Sequence, residues 1–200
     1  MSRARLLPMV LLLLGVAPLA AQRPHRRGFW LEFGGGPATA RVACAGCSSV
    51  TTATGSSGYL RLGGTVSRGV LLGVELANFS DERFGFHTDP DRRVKAETAS
   101  LGILALWYPW RGGFFLKGGV GLAGGDFTVR PDSGQRRTVN GNGVGMNFGV
   151  GYDLNLSGRL ALTATAAASI AAIGDLVLPT VTIDDAIASV YHLNLGLTFR

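Results

Sequence analysis

The chain has 200 residues, 46% of them hydrophobic, with 30 glycines and a formal net charge of +6 at pH 7. That many glycines exclude a helical bundle, since each costs about 1 kcal/mol relative to alanine inside a helix. Beyond the first 21 residues no apolar run approaches the ~20 residues of a membrane-spanning helix, so the hydrophobicity must be used in some other way.

Met1 to Arg5 carries Arg3 and Arg5, Leu6 to Val16 is apolar except for Pro8 and Gly15, and Pro18-Leu19-Ala20-Ala21 sets small residues before Gln22. This is the pattern of a cleaved signal peptide, and residues 1–21 are expected to be removed. Their apolar core is too short to act as an anchor. No cysteine follows Ala21, so lipid attachment there is not supported. Loss of Arg3 and Arg5 takes the charge from +6 to +4. Residues 22–27 read as a short N-terminal segment in the periplasm and 28–200 as one domain.

That domain shows period-two alternation, the mark of strands with two unlike faces. Gly28 to Gly36 sets Phe29, Leu31 and Phe33 against Trp30, Glu32 and Gly34. Tyr59 to Val66 sets Leu60, Leu62 and Val66 against Tyr59, Arg61 and Gly63. Gly69 to Phe79 sets Val70, Leu72, Val74 and Leu76 against Gly73, Glu75 and Ala77, and Ala99 to Tyr108 sets Leu101, Ile103 and Trp107 against Ser100, Gly102 and Leu104. Four more strands are predicted over Gly113 to Ala123, Gly143 to Leu154, Arg159 to Ser169 and Tyr191 to Arg200. The seventh is rich in alanine and is compatible with a helix, but Leu160, Leu162, Ala164 and Ala166 alternate with Thr163 and Thr165, and closure needs an even count.

The connections alternate in length. Ser67-Arg68, Pro109 to Gly112 and Leu156 to Gly158 are tight, whereas Ala43 to Ser57, Ser80 to Glu97, Gly124 to Asn142 and Ile170 to Ala186 are long. Short turns at one end and long loops at the other suit an eight-stranded antiparallel up-and-down transmembrane β-barrel with short periplasmic turns and long external loops.

The charges within the strands decide which face is which. Glu32, Arg61, Glu75, Lys117 and Asp153 all share the parity of glycine and threonine, so the aliphatic face looks outward. An Arg or Lys aimed at the bilayer centre would cost ~2–4 kcal/mol. In the narrow lumen of eight strands these five are expected to form an ion-pair plug. A soluble barrel of lipocalin type, with its polar face outward, is the alternative. Phe29, Trp107, Phe114, Tyr152 and Phe199 share the aliphatic parity near the turn end, as an interfacial aromatic girdle would, and favour the membrane reading.

Through its strand count, loop asymmetry and final Tyr191-x-Leu-x-Leu-x-Leu-x-Phe199, the chain resembles the small OmpA/OmpX/OmpW-like outer-membrane barrels over Gly28 to Arg200. The resemblance implies location in the bacterial outer membrane and delivery by an assembly machinery that reads a C-terminal strand ending in an aromatic residue. Here Arg200 follows Phe199, one residue past that pattern. Members of the group serve as structural proteins, adhesins, resistance factors and conduits for small apolar molecules. No peptidoglycan-binding domain follows the barrel, so a wall-linking role is not implied.

Other motifs carry little chemistry. Gly119-Val-Gly-Leu-Ala-Gly124 spells GxGxxG, but no helix follows to receive a pyrophosphate. Cys44 and Cys47, without a second CxxC pair or an adjoining helix, read as a local disulfide worth about 2 kcal/mol. Ser189 and His192 are three apart, which puts them on opposite faces of a strand. Asp89 and Asp91 lack the further ligands of a calcium loop. Catalysis, metal and cofactor are therefore not expected.

Arg83, Arg92, Arg93, Lys95, Arg130, Arg136 and Arg137 in the second and third loops are candidates for contact with lipid headgroups or lipopolysaccharide, because guanidinium forks suit phosphate. Neighbouring acids leave those loops near neutrality, and a mixed-charge solvated loop is the competing account. Nucleic acid is not suggested, since the bases do not interleave with aromatics. The chain reads as a monomer with a structural or surface-interaction role, and a narrow conduit for small hydrophobic molecules is the alternative.

Overall fold

The computed structural model describes residues 28–43, 51–81, 93–130, 137–177 and 182–200. The regular elements among them are all strands: β1 (Phe29–Ala43), β2 (Thr51–Ser67), β3 (Val70–Asp81), β4 (Arg93–Trp107), β5 (Phe114–Arg130), β6 (Arg137–Asn155), β7 (Leu160–Val177) and β8 (Thr182–Phe199). Each pairs antiparallel with its sequence neighbours, and β1 pairs with β8, so the sheet closes into a barrel. The alanine-rich segment is strand β7, bonded to β6 on one side and β8 on the other. Alanine's helix preference amounts to a few tenths of a kcal/mol per residue, too little to outweigh pairing on both edges.

A row of neighbours started at Phe33 runs through Leu60, Leu101 and Val144 and returns to β1 at Ala43, ten residues further on. That stagger tilts the strands and sets a lumen just wide enough for side chains. Along β3, Leu71, Glu75 and Phe79 are buried while Leu72, Val74 and Leu76 are exposed. Leu101, Ile103, Val120, Leu122, Leu193 and Leu195 are likewise more than half exposed, whereas Glu32, Arg61, Glu75, Lys117 and Asp153 are buried. An apolar skin around a charged interior is what hydrocarbon surroundings demand. A soluble barrel would reverse it, and that alternative falls.

The strands run much further towards the loop end than alternation predicted. Ala43, Thr51 to Ser57, Ser80, Asp81, Arg93 to Glu97, Gly124 to Arg130 and Arg137 to Asn142 belong to paired strand, as do most residues of the segment predicted as a fourth loop. Past Leu76, Leu101 and Leu122 the outward positions turn polar, with Asn78, Ser80, Glu97 and Asp126. Backbone pairing continues there, but with polar groups on the outer face the hydrophobic alternation fades.

Glycine shapes the wall where large side chains lean across it. A Cβ at Gly151 would run into the Phe115 ring, and one at Gly34 or Gly196 into the Tyr59 hydroxyl. The side chain of Asn147 occupies the space beside Gly119. Inward glycines of β1, β5, β6 and β8 therefore accommodate neighbouring side chains and do not leave an open passage.

Candidate functional site

The lumen is the most organised chemical feature, and it is layered. At the turn end, Trp30, Leu71, Leu104, Leu106, Tyr108 and Phe115 form one buried apolar cluster. The Tyr108 and Phe115 rings lie 5.3 Å apart, and Phe115 is completely shielded from solvent. Inward positions of β1, β3, β4 and β5 supply these groups just inside the short turns, where the strands begin or end.

Beside this floor stands a polar cluster around Asp153. Its carboxylate accepts from the Tyr108 hydroxyl at 2.8 Å and the Thr163 hydroxyl at 2.9 Å. Thr163 and Thr198 are themselves 2.6 Å apart. Arg200 completes the cluster: its backbone N–H donates to the Arg159 carbonyl at 2.9 Å, while its guanidinium turns inward to pair with Asp153 and reach Asn155. The residue that overruns the aromatic-ending pattern thus plugs the mouth. Arg200 shares the inward parity of Thr198, a signal the sequence reading did not use.

Above the floor lies the main ion network. Arg61 donates through Nη1 to Glu32 at 2.7 Å and through Nε to Glu75 at 2.5 Å. Lys117 meets the same Glu75 at 2.6 Å. The Tyr59 hydroxyl donates to Glu32 at 2.8 Å, and the Arg61 guanidinium stacks 3.9 Å over the Tyr59 ring. Register explains the meeting, because Arg61 lies opposite Glu32 on one side and Glu75 on the other. Four of the five sequence-predicted lumen charges converge here, and Asp153 belongs to the separate cluster below. Sequence reasoning missed Tyr59 and Tyr108, whose inward parity was visible but whose hydroxyls were not weighed as partners.

Towards the loop end most inward residues are small, although Phe79 and Asp81 are buried there too. Ala77, Ser100, Ala123, Ser169, Ala171 and His192 are among the walls of a cavity of about 50 Å³. Ser189 sits on the opposite face of β8 from His192, so the two do not form a catalytic pair. The GxGxxG glycines lie within strand β5.

The five girdle residues all lie on the outer face near the turn end, with Phe29, Trp107, Tyr152 and Phe199 exposed and Phe114 half-buried. Phe199 stacks on Phe33 across the β1–β8 seam at 6.0 Å, and Trp110 packs against Phe114 at 5.3 Å. Of the candidate headgroup contacts, Arg93, Lys95, Arg130 and Arg137 fall at the loop ends of β4, β5 and β6, where register sets Arg93 directly opposite Arg130. Arg83, Arg92 and Arg136 lie outside the described residues, as do Cys44 and Cys47, Asp89 and Asp91, and residues 1–27.

Comparison with known proteins matches residues 9–199 to a family described as the outer membrane protein beta-barrel domain. No curated protein matches the sequence. Among solved structures, the attachment invasion locus protein Ail of Yersinia pestis, determined in complex with the heparin analogue sucrose octasulfate, superposes with a TM-score of 0.60 at 14% identity, covering 86% of this chain and 99% of that one. Neisserial surface protein A superposes with a TM-score of 0.53 at 16% identity, covering 86% and 96%. At such identities the likeness is one of fold.

Proposed function

The chain belongs to the outer membrane protein beta-barrel domain family, and from that membership we propose that it is a non-enzymatic barrel of the bacterial outer membrane that works by recognition at its external rim. The observation that carries this reading is the filled lumen. The apolar floor and the Glu32, Arg61, Glu75 and Lys117 network lie one above the other across the barrel. An ion crossing would have to part buried pairs and then enter an apolar layer, and both steps are expensive in a low dielectric.

Recognition is left to the strand extensions and their connections. Arg41 stands exposed over the Tyr191 ring at 6.0 Å, at the level where the outer face turns polar. Arg93 and Arg130 lie opposite each other on β4 and β5. Arginine suits phosphate and sulfate, so lipopolysaccharide phosphates in the surrounding leaflet are the first ligand class to test. Sulfated saccharides follow, in view of the analogue bound by the similarly folded Ail. We further read the chain as a monomer delivered by the outer-membrane assembly machinery through β8.

Planar-bilayer reconstitution should give no sustained conductance. Replacing residues 82–92 or 131–136 by a two-residue turn should remove surface binding while the heat-modifiable band on a mild SDS gel persists, because those deletions spare the paired strands. Large, stable single-channel currents from the intact protein would replace this reading with a narrow conduit.

A further inference from the structure

Charge is shared unevenly between the two ends of the barrel. Arg68 and Gly69 join β2 to β3, Tyr108 to Gly113 join β4 to β5, and Leu156 to Arg159 join β6 to β7. Each turn holds one arginine, and Arg68, Arg111 and Arg159 are all exposed. Two of the turns are fixed without their guanidinium groups: the Ser67 hydroxyl accepts from the Gly69 N–H at 3.5 Å and the Ser157 hydroxyl from the Arg159 N–H at 3.4 Å. Among the described residues none of the three guanidinium groups has an ion-pair or hydrogen-bond partner. No exposed acid of the described chain opposes them at this end. Glu32 and Asp153 are buried and already paired with Arg61 and Arg200, whereas the exposed Glu97 and Asp126 stand at the external end. In sequence, residues 22–27, which lead into β1, add Arg23, Arg26 and Arg27 and no acid.

The neighbours of these arginines indicate what they meet. Val66, Trp110 and Leu156 adjoin Arg68, Arg111 and Arg159 in the chain, and each is more than half exposed. An arginine beside an exposed apolar side chain suits the boundary where hydrocarbon gives way to headgroups, because the apolar group stays among the tails while the guanidinium reaches phosphate. A soluble polyanion offers Val66, Trp110 and Leu156 nothing to enter. The three turns also stand two strands apart around the rim, and Arg200 on Asp153 occupies the mouth between them. A continuous leaflet covers all three positions, and a single compact anion does not.

We infer that the turn end is a binding surface for anionic phospholipid of the periplasmic leaflet, with Arg68, Arg111 and Arg159 each taking a headgroup phosphate and Val66, Trp110 and Leu156 seated at the top of the acyl chains. Guanidinium forks match phosphate, and a net negative headgroup gains over a zwitterionic one because it brings no cation of its own. The surface fixes the depth of the barrel and gathers anionic lipid around its periplasmic mouth. It stands whatever the external rim recognises, since it uses other residues at the opposite end.

Spin-labelled lipids test the inference. The folded protein is reconstituted in phosphatidylcholine vesicles, and association of spin-labelled phosphatidylglycerol is measured against spin-labelled phosphatidylcholine by electron spin resonance. The intact protein should favour phosphatidylglycerol about fivefold, the factor that one arginine near an anionic surface supplies, and added salt should weaken the preference. Combining Arg68→Gln, Arg111→Gln and Arg159→Gln should bring the ratio close to unity, while Arg41→Gln at the external end should leave it largely intact.

A ratio near unity for the intact protein, or a preference that survives the triple change, would overturn the inference. Loss of the preference on Arg41→Gln alone would move the lipid contact to the external rim and overturn it equally. Arginine-dependent cosedimentation with purified peptidoglycan, without lipid preference in vesicles, would assign the face to the cell wall instead. If the triple variant lacks the heat-modifiable band, the three single changes replace it: each should lower the ratio in part, and three unchanged ratios would sink the proposal.

Discussion

The two halves of the barrel solve the same geometrical problem with opposite means. In the periplasmic half the lumen is filled by large rings, leucines and a paired charge network, and the outer face is apolar. In the external half most inward residues shrink to alanine, serine and glycine, with Phe79, Asp81 and His192 among the larger exceptions, a small cavity remains, and the outer face gains Thr39, Arg41, Asn78, Ser80, Glu97 and Asp126. Cohesion is therefore concentrated below the middle of the membrane, which leaves the upper strands free to vary in surface chemistry. The difference sharpens into measurable contrasts of stability.

The largest effect should come from Arg61→Ala. It strips Glu32 of the guanidinium it pairs with, while Glu75 keeps Lys117. Leaving a buried carboxylate unpaired should cost about 4 kcal/mol in urea unfolding from lipid vesicles, and Arg61→Ala combined with Glu32→Ala should cost less than the single change. Strictly additive losses would show that the two groups are not coupled.

Next, Leu106→Ala removes most of a fully buried side chain from the floor and should cost about 3 kcal/mol by the same measurement. Gly151→Ala comes third, at about 2 kcal/mol, because its methyl would displace the Phe115 ring. In the Phe115→Leu background that penalty should shrink, and an unchanged penalty would place the strain elsewhere. Smallest is Ser100→Ala in the wall of the small cavity, expected to stay below about 1 kcal/mol since it removes one hydroxyl and little packed volume. A loss at Ser100 equal to that at Leu106 would erase the contrast between the halves.

The same division governs what the sequence discloses. In the lower half, Leu72, Val74 and Leu76 alternate with Gly73, Glu75 and Ala77 because one face meets lipid and the other the lumen, so strand and orientation can be read directly. The pairing of Arg61 with Glu75 follows from a turn centred near Arg68, and the structure keeps that register despite a bulge between Thr65 and Ser67. Higher up, Thr51 to Ser57 and Gly124 to Arg130 are just as firmly paired, but hydrophobic periodicity reports burial rather than hydrogen bonding, and the outward positions there, such as Thr52, Thr54, Ser56 and Asp126, are polar. Arg200 escaped for another reason: its role depends on Asp153, Tyr108 and Arg159, residues far away in the chain that only closure brings to it.

Closure itself sets the tempo at which such a molecule forms. The seam joins Leu31 to Phe199 and Phe33 to Leu197, the most distant pairings in the described chain, and contacts so remote in sequence make folding slow. Until that seam zips, β1 and β8 each present a ladder of unpaired amides that hydrocarbon cannot satisfy. A half-inserted, open sheet is thus a high-energy species, and crossing the membrane and joining first strand to last become a single concerted event. A catalyst acts on that barrier most directly by lending a temporary edge to one of the two strands. Replacing the Phe33–Phe199 stack by alanines should accordingly slow insertion into vesicles more than the equilibrium loss alone accounts for, because those rings meet only when the circle is complete.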